Sequence, residues 1–305
     1  MTGKADMSGI VCAAVTPVDA NYQIDVDLLA RHCQRVMAAG CRYVSVFGTT
    51  GEGASFSSAQ KIAALDGLIR AGVPADRLIP AIMTPVLSEA ADMLGAIERA
   101  GCRAALVLPP FFYSAPGDAG IVAFFEALLA RAGSTGLDLL LYNIPQFSRI
   151  AYTPSLISAL LARFGARIAG VKDSTGDLQN GLALIEAFPE LAIFTGDDRV
   201  MPPLRLKGGA GMIGGMPNLF AADAVQVLAA PDGADTATLR AYAARRIEAV
   251  DGNGGLPVIK AMLARETGEP GWTRAVPPLG SLPEAVETRV LAALAETGYA
   301  PDTAA

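Results

Sequence analysis

Eight short apolar runs, recurring at intervals of roughly 20 to 35 residues, constrain this chain more than any other feature. They read IVCAAVTPV (10–18), YVSVFG (43–48), LIPAIM (78–83), AALVLPP (104–110), DLLLYNIP (138–145), IAGVKDS (168–174), LAIFTG (191–196) and AGMIGG (210–215). A strand with one wet face alternates polar with apolar residues. Near-continuous apolar runs suit strands covered on both faces, as in a parallel sheet. Between the runs lie segments with a helical period. In DVDLLARHCQRVMAAG (25–40), Leu28, Leu29, Val36 and Met37 share one face. Two junctions nearly repeat, AAGCRYV (38–44) and RAGCRAALV (99–107), with Gly40 and Gly101 at the left-handed position that stops a helix. Eight βα units with right-handed crossovers predict an α/β fold, a closed (β/α)8 TIM barrel over residues 9–230. The alternative is an open doubly wound sheet, but no GxGxxG follows the first run. Beyond about 230 only helical patterns remain, at 234–250, 256–267 and 283–297. They predict a C-terminal helical extension over 231–305 with a frayed end, and residues 1–8 read as a flexible tail.

Composition limits the partners. Of 305 residues, 52% are hydrophobic and 18% charged, which supports a large core and excludes wholesale disorder. A net charge of −6 with no Lys/Arg cluster argues against a nucleic-acid backbone as partner. The N-terminus lacks the apolar region of a signal peptide, and no apolar run is long enough to cross a bilayer, so the chain reads as soluble and cytoplasmic, with no membrane partner. Cys12, Cys33, Cys41 and Cys102 show no CxxC pairing and are expected to be buried free thiols. The single histidine, His32, lies on an amphipathic helix and reads as an ordinary core or surface position, so no metal site is expected.

Chemistry is expected where a barrel gathers it, at the C-terminal ends of the strands. The second run leads into FGTTGEG (47–53), the fifth ends in LYNIP (141–145), and the sixth carries Lys172 near its tip. Lysine is rarely buried, because an ammonium is costly to take out of water unless paired or neutral. Of the five lysines only Lys172 lies in a strand-like run; Lys4 falls in the tail, Lys61 and Lys260 in helical patterns, and Lys207 at a helix end. Desolvation favours the neutral amine, and a neutral amine attacks carbonyl carbon to form a Schiff base. The competing reading pairs Lys172 structurally with a carboxylate of GDD (196–198). Tyr142 lies on the neighbouring strand, and adjacent strands are only about 4.8 Å apart. By parity Ile168, Gly170 and Lys172 share one face, and Gly170 leaves room for the lysine stem or a small ligand. The GTTGE turn offers backbone N–H groups and the hydroxyls of Thr49 and Thr50, a cradle for a small carboxylate. Read blandly, its glycines serve a tight turn and its threonines cap a helix. Glu52 reads as structural.

FGTTGEG, YNIP, GVKDSTGD (170–177), TGDD (195–198) and GGAGMIGGMPN (208–218) occur in this order at barrel-consistent spacing. Together they resemble the dihydrodipicolinate synthase / N-acetylneuraminate lyase family of pyruvate-dependent class I aldolases, over roughly residues 10–230 and the C-terminal helices. The resemblance implies a metal-independent lyase, usually a homotetramer, that needs no cofactor beyond a covalent lysine imine with its substrate. It implies that Lys172 forms the imine with pyruvate or another 2-oxo acid and that Tyr142 shuttles protons. Thr49 and Thr50 would bind the carboxylate, Ile213 would offer its backbone carbonyl near the imine, and Gly196 and Asp198 would line the substrate site.

Two departures bear on the aldehyde partner. Synthases of the family place an arginine five residues after the tyrosine, where this chain has Phe147; Arg149 follows two residues later. They also use a tyrosine pair after the fourth strand, where PPFFYSAP (109–116) sets Phe112 or, with a one-residue shift, Tyr113. These favour a 2-keto-3-deoxy sugar acid or other 4-hydroxy-2-oxo acid. The alternatives are condensation of pyruvate with aspartate semialdehyde, a related dehydratase, or a non-catalytic paralogue that binds a 2-oxo acid. Gly214 and Gly215 suggest a roomy pocket. A phosphate-binding barrel using GGAG (208–211) is a remote further reading.

Overall fold

The computed structural model describes residues 7–113, 115–134 and 136–301. Every apolar run carries a strand, and a helix follows each. In chain order these are β1 (Gly9–Ala13), α1 (Val26–Ala38), β2 (Tyr43–Ser45), α2 (Ser58–Arg70), β3 (Ala81–Ile82), α3 (Leu87–Arg99), β4 (Ala105–Val107) and α4 (Gly117–Ala132). Then come β5 (Leu139–Asn143), the one-turn α5 (Pro145–Ser148), α6 (Pro154–Phe164), β6 (Ile168–Asp173), α7 (Leu178–Ala187), β7 (Ala192–Thr195), α8 (Met201–Leu206), β8 (Gly211–Gly214) and α9 (Pro217–Ala229). The strands are shorter than the runs, because the flanking apolar residues continue into buried loops rather than ladder bonds. All pairings are parallel, in the order β2-β1-β8-β7-β6-β5-β4-β3. The seam between β2 and β3 is closed by the Ile79 and Ala81 amides, which donate to the carbonyls of Val44 and Val46 at 2.9 Å each. The result is a (β/α)8 barrel.

Alternation along the strands sorts side chains into two cores. Val11, Ile79, Ala81, Leu106, Leu140, Phe194 and Ile213 fill the barrel, joined by Met7 from the stretch read as a tail; residues 1–6 and 302–305 lie outside the described residues. Leu29, Leu65, Leu94, Phe125 and Leu160 on the helices meet Val44, Val107 and Leu141 on the outer face. The two glycine stops are realised with φ of 103° at Gly40 and 75° at Gly101. In each, the following cysteine amide reaches back to close the last turn, Cys41 to Val36 and Cys102 to Ile97. All four cysteines are free and buried. Among the described residues no helix is long and apolar enough to cross a membrane.

One parity expectation fails. Leu139 pairs with Ile168 but Leu140 pairs with Gly170, so β6 carries a bulge at Ala169. Gly170 and Lys172 stay on the barrel side beside Leu140 and Tyr142, while Ile168 turns outward into the helix-facing core. Gly170 itself has a different reason from the one expected. A Cβ there would lie 2.3 Å from the Ala192 carbonyl oxygen on β7, so the glycine admits the neighbouring strand rather than the lysine stem.

After residue 230 the chain forms α10 (Ala237–Asp251), α11 (Leu256–Thr267) and α12 (Glu284–Ala295), packed through Val258, Met262, Trp272 and Leu294 against Val15, Met216 and Phe220. Two buried polar knots lie here: the first ties this extension to the barrel, and the second joins α1 to α9 and the loop after β1 within the barrel, meeting the extension only at Trp272. In the first, Lys260 on α11 forms an ion pair with Glu52 of the β2 loop and donates to the Arg274 carbonyl at 2.6 Å, while the other Glu52 oxygen accepts from the Val276 amide at 2.6 Å. Glu52 is therefore structural. Burial pushes the Lys260 ammonium down from its usual range, and the Glu52 carboxylate opposes that shift. In the second knot, Asn218 accepts from the Val15 amide at 3.1 Å and donates to the carbonyls of Ala13 and Gly215 at 2.8 and 2.6 Å. His32 Nε2 lies 2.8 Å from the same Asn218 amide oxygen, and its ring meets Trp272 edge-on at 5.2 Å.

Removing one member of the first knot strands a buried charge. Lys260→Met is expected to lose about 3–5 kcal/mol in urea unfolding, and Glu52→Gln with Lys260→Met to recover most of it. A double variant that loses the sum of the two single variants would show that the pair is not coupled. The second knot predicts a pH dependence. Burial, aided by Arg35, lowers the His32 pKa to about 3, so the folded chain stays neutral there while the unfolded chain binds a proton near pH 6.5. Stability from this group is present above pH 6.5 and lost as pH falls towards 3, about 2 kcal/mol between pH 7 and 5. His32→Gln should lose that much less than the parent chain over the same interval, and parallel declines would refute the assignment.

Candidate active site

At the C-terminal end of the barrel, the β5–β6 register sets Tyr142 directly opposite Lys172. The Lys172 Nζ lies 4.1 Å from the centre of the Tyr142 ring. The Tyr142 hydroxyl in turn lies 3.0 Å from the Thr49 hydroxyl. Thr49, Tyr142 and Lys172 thus form one line across the barrel mouth. Both Tyr142 and Lys172 are buried.

Burial alone does not single Lys172 out, because Lys61 and Lys260 are buried as deeply. Their partners separate them. Lys61 donates to the Gly53 carbonyl at 2.9 Å, and burial lowers its pKa to about 8 against the pull of Glu89. Lys260 is held by Glu52. Among the described residues no carboxylate pairs with Lys172. Asp197 of the GDD stretch pairs with Arg199 instead, at 2.6 Å. Asp173, next to the lysine, turns to the other face and is consumed by Asn143, Thr175 and Asn180. Lys172 therefore has no ion-pair partner among the described residues and rests against the face of the Tyr142 ring.

The loop after β2 explains its glycines by backbone packing. A Cβ on Gly53 would overlap the Phe47 carbonyl at 1.7 Å, and one on Gly51 would lie 2.8 Å from the Ala14 carbonyl. Phe47 and Glu52 take the left-handed conformation with φ of 62° and 55°, a strain that side chains tolerate only where the surroundings fix it. Here Phe47 is fully buried and Glu52 is pinned by Lys260. The threonines cap no helix, since Ser57 provides the cap of α2. Thr49 turns to Tyr142, and Thr50 packs where a side chain on Gly215 would go, 3.3 Å from its Cβ position. Gly214 is equally close-packed, 3.2 Å from the Met212 sulfur, so neither glycine opens extra room.

Ile213 lies inside the barrel on β8, in register with Val11. Gly196 follows β7 and donates its amide to the Asp173 carbonyl at 2.9 Å. Asp198 lines a narrow crevice between α8, α9 and α10; burial, reinforced by Asp197, raises its carboxyl to about 7. Arg149 is the exposed left-handed cap of α5. Phe112 and Tyr113 are both 74% exposed, with rings packed edge-on at 5.3 Å, and among the described residues no hydrogen bond joins Tyr113 to Tyr142 or Thr49. The GGAG stretch precedes β8, at the opposite end of the barrel from this site, and a Cβ on Gly211 would lie 2.1 Å from the Gly9 carbonyl. Its glycines serve strand packing. Among the described residues no group of three or more His, Cys, Asp or Glu side chains is arranged to hold a metal ion.

Beside Thr49 lies a feature that residue-type reasoning missed. A cleft of about 220 Å³ is lined by Thr49, Met83, Leu108, Phe111, Ile144, Phe147 and Leu279, with Glu52 to Ser55 and Ser148. Met83, Leu108 and Ile144 end or directly follow strands, so the same rule that pointed to Lys172 could have found them.

The sequence and fold comparisons agree with this architecture. Residues 6–296 match the dihydrodipicolinate synthetase family. An uncharacterized DapA-like lyase of Chloroflexus aurantiacus is 32% identical over 275 residues, covering 90% of this chain and 89% of the relative. A 4-hydroxy-tetrahydrodipicolinate synthase of Kineococcus radiotolerans is 31% identical, covering 96% and 94%. The crystal structure of dihydrodipicolinate synthase from Agrobacterium tumefaciens superposes with a TM-score of 0.88 at 28% identity, covering 95% of this chain and 99% of that one. The chain belongs to the dihydrodipicolinate synthetase family, whose lyases share this barrel.

Proposed function

We propose that the chain is a class I aldolase that makes or breaks the C3–C4 bond of a 4-hydroxy-2-oxo acid through an imine on Lys172, with pyruvate as the 2-oxo acid. The observation that carries this reading is a buried amine with no carboxylate partner among the described residues, 4.1 Å from a tyrosine ring whose hydroxyl is joined to Thr49. Lys172 Nζ attacks C2, and the carbonyl oxygen leaves as water after protonation through Tyr142. The iminium then accepts the electron pair of the C3–C4 bond while the C4 hydroxyl gives up its proton, which releases an aldehyde. The enamine takes a proton at C3, and water hydrolyses the imine to pyruvate and the free amine. Water lost in the first step is regained in the last.

Thr49, Thr50 and the amides of their loop would hold the carboxylate, and the Ile213 carbonyl would face the imine. Gly196 and Asp198 would border the site on the β7 side, with Arg149 and Tyr113 at its rim. A homotetramer in the cytoplasm belongs to the same reading. A second reading, condensation of pyruvate with aspartate semialdehyde, is favoured by the name of the Kineococcus relative. Against it, an apolar Phe147 stands where the resemblance calls for an arginine.

Imine formation makes the methyl hydrogens of pyruvate exchangeable. In D2O the protein should wash out the pyruvate methyl signal in proton NMR. Lys172→Ala should abolish the exchange, and Tyr142→Phe should slow it by about 10²-fold or more. Exchange that survives in Lys172→Ala would overturn the reading.

A further inference from the structure

Resting on that imine reading, we infer that the aldehyde half of the substrate is an apolar chain, alkyl or aryl, that enters the cleft beside Thr49. The cleft opens over the ends of β2 to β5 and reaches the imine site through Thr49, whose hydroxyl lies 3.0 Å from that of Tyr142. Its walls are Met83, Leu108, Phe111, Ile144, Phe147 and Leu279.

A polyhydroxylated or charged aldehyde would need polar partners here, and apart from the exposed Ser55 hydroxyl those lining the cleft already hold partners. Glu52 is committed to Lys260 and to the Val276 amide. The Ser148 hydroxyl donates to the Ile150 carbonyl at 2.8 Å and takes the Ile150 amide at 3.3 Å. Thr49 is joined to Tyr142 and, on the imine reading, is committed to the 2-oxo acid's carboxylate rather than to the aldehyde. Arg149, the nearest cation in sequence, is not among the lining residues. A sugar chain would thus find few partners for its hydroxyls, at about 1–3 kcal/mol for each one buried and left unpaired. An apolar chain gains from the same burial at roughly 25 cal/mol per Å². The volume also fits. An apolar cavity of about 150 Å³ holds one benzene ring, and this cleft offers about 220 Å³. Phe147 is 68% exposed and Leu279 is 41% exposed, so the rim is apolar before any ligand arrives.

The test measures kcat/KM for aldol addition of pyruvate to four aldehydes: benzaldehyde, butanal, D-glyceraldehyde and aspartate semialdehyde. Adducts are identified by mass, and pyruvate methyl exchange is followed in the same preparation. Benzaldehyde or butanal should exceed both polar aldehydes by at least about tenfold, the range a hydrophobic pocket supplies. In Phe147→Ser and Leu279→Ser the ratio of benzaldehyde to glyceraldehyde should fall at least about fivefold. Intact exchange with the polar aldehydes preferred, or with neither apolar aldehyde added, would overturn this inference while leaving the imine in place. Loss of exchange in the folded parent chain would remove the imine reading and this inference with it.

Discussion

The pairing of β5 with β6 is the contact on which the site depends. Side chains alternate across a strand, so a slip of one residue would send Lys172 out to the helices and Asp173 into the barrel. The register is held at both ends. Near its start the bulge at Ala169 resets the alternation, and Gly170 lets the Ala192 carbonyl approach within a distance no Cβ tolerates. At its end Asn143 donates to Asp173 at 2.9 Å and accepts from the Tyr152 amide at 3.0 Å, which locks the two strand tips together. The outward Asp173 is therefore as important as the inward Lys172: it spends the nearby carboxylate on the scaffold and leaves the amine without a counter-ion among the described residues.

A second constraint acts from the far end of the chain. Glu52 and Lys260 are 208 residues apart in sequence and share one buried ion pair. That pair fixes the left-handed backbone at Glu52, and through it the loop that turns Thr49 towards Tyr142. The extension is in this sense part of the active-site scaffold, and Leu279 extends its contribution to the cleft itself. The strained loop and the helices that restrain it form a single unit.

The sequence made the barrel legible because eight apolar runs of parallel-strand character admit few topologies. It also exposed Lys172 and Tyr142, since neighbouring strand ends must be neighbours in space. Other features depend on contacts no local pattern encodes. The outward turn of Ile168 follows from a bulge in the β5–β6 pairing. The burial of Lys61 and Lys260 was invisible, because a cation in an amphipathic helix reads as solvated until its partner is known. The glycines at 214 and 215 looked like spare room, yet Thr50 and Met212 occupy it. The apolar lining of the cleft is present in the sequence at Met83, Leu108 and Ile144, but an apolar residue after a buried strand reads the same whether it packs in the core or lines a cleft.

If Lys172 spends its burial on covalent chemistry, borohydride reduction in the presence of pyruvate will trap it. Peptide mass spectrometry should find the reduced pyruvate adduct on Lys172, with none on Lys61 or Lys260 despite their equal burial. An adduct on another lysine, or none on folded protein across several 2-oxo acids, would contradict the account.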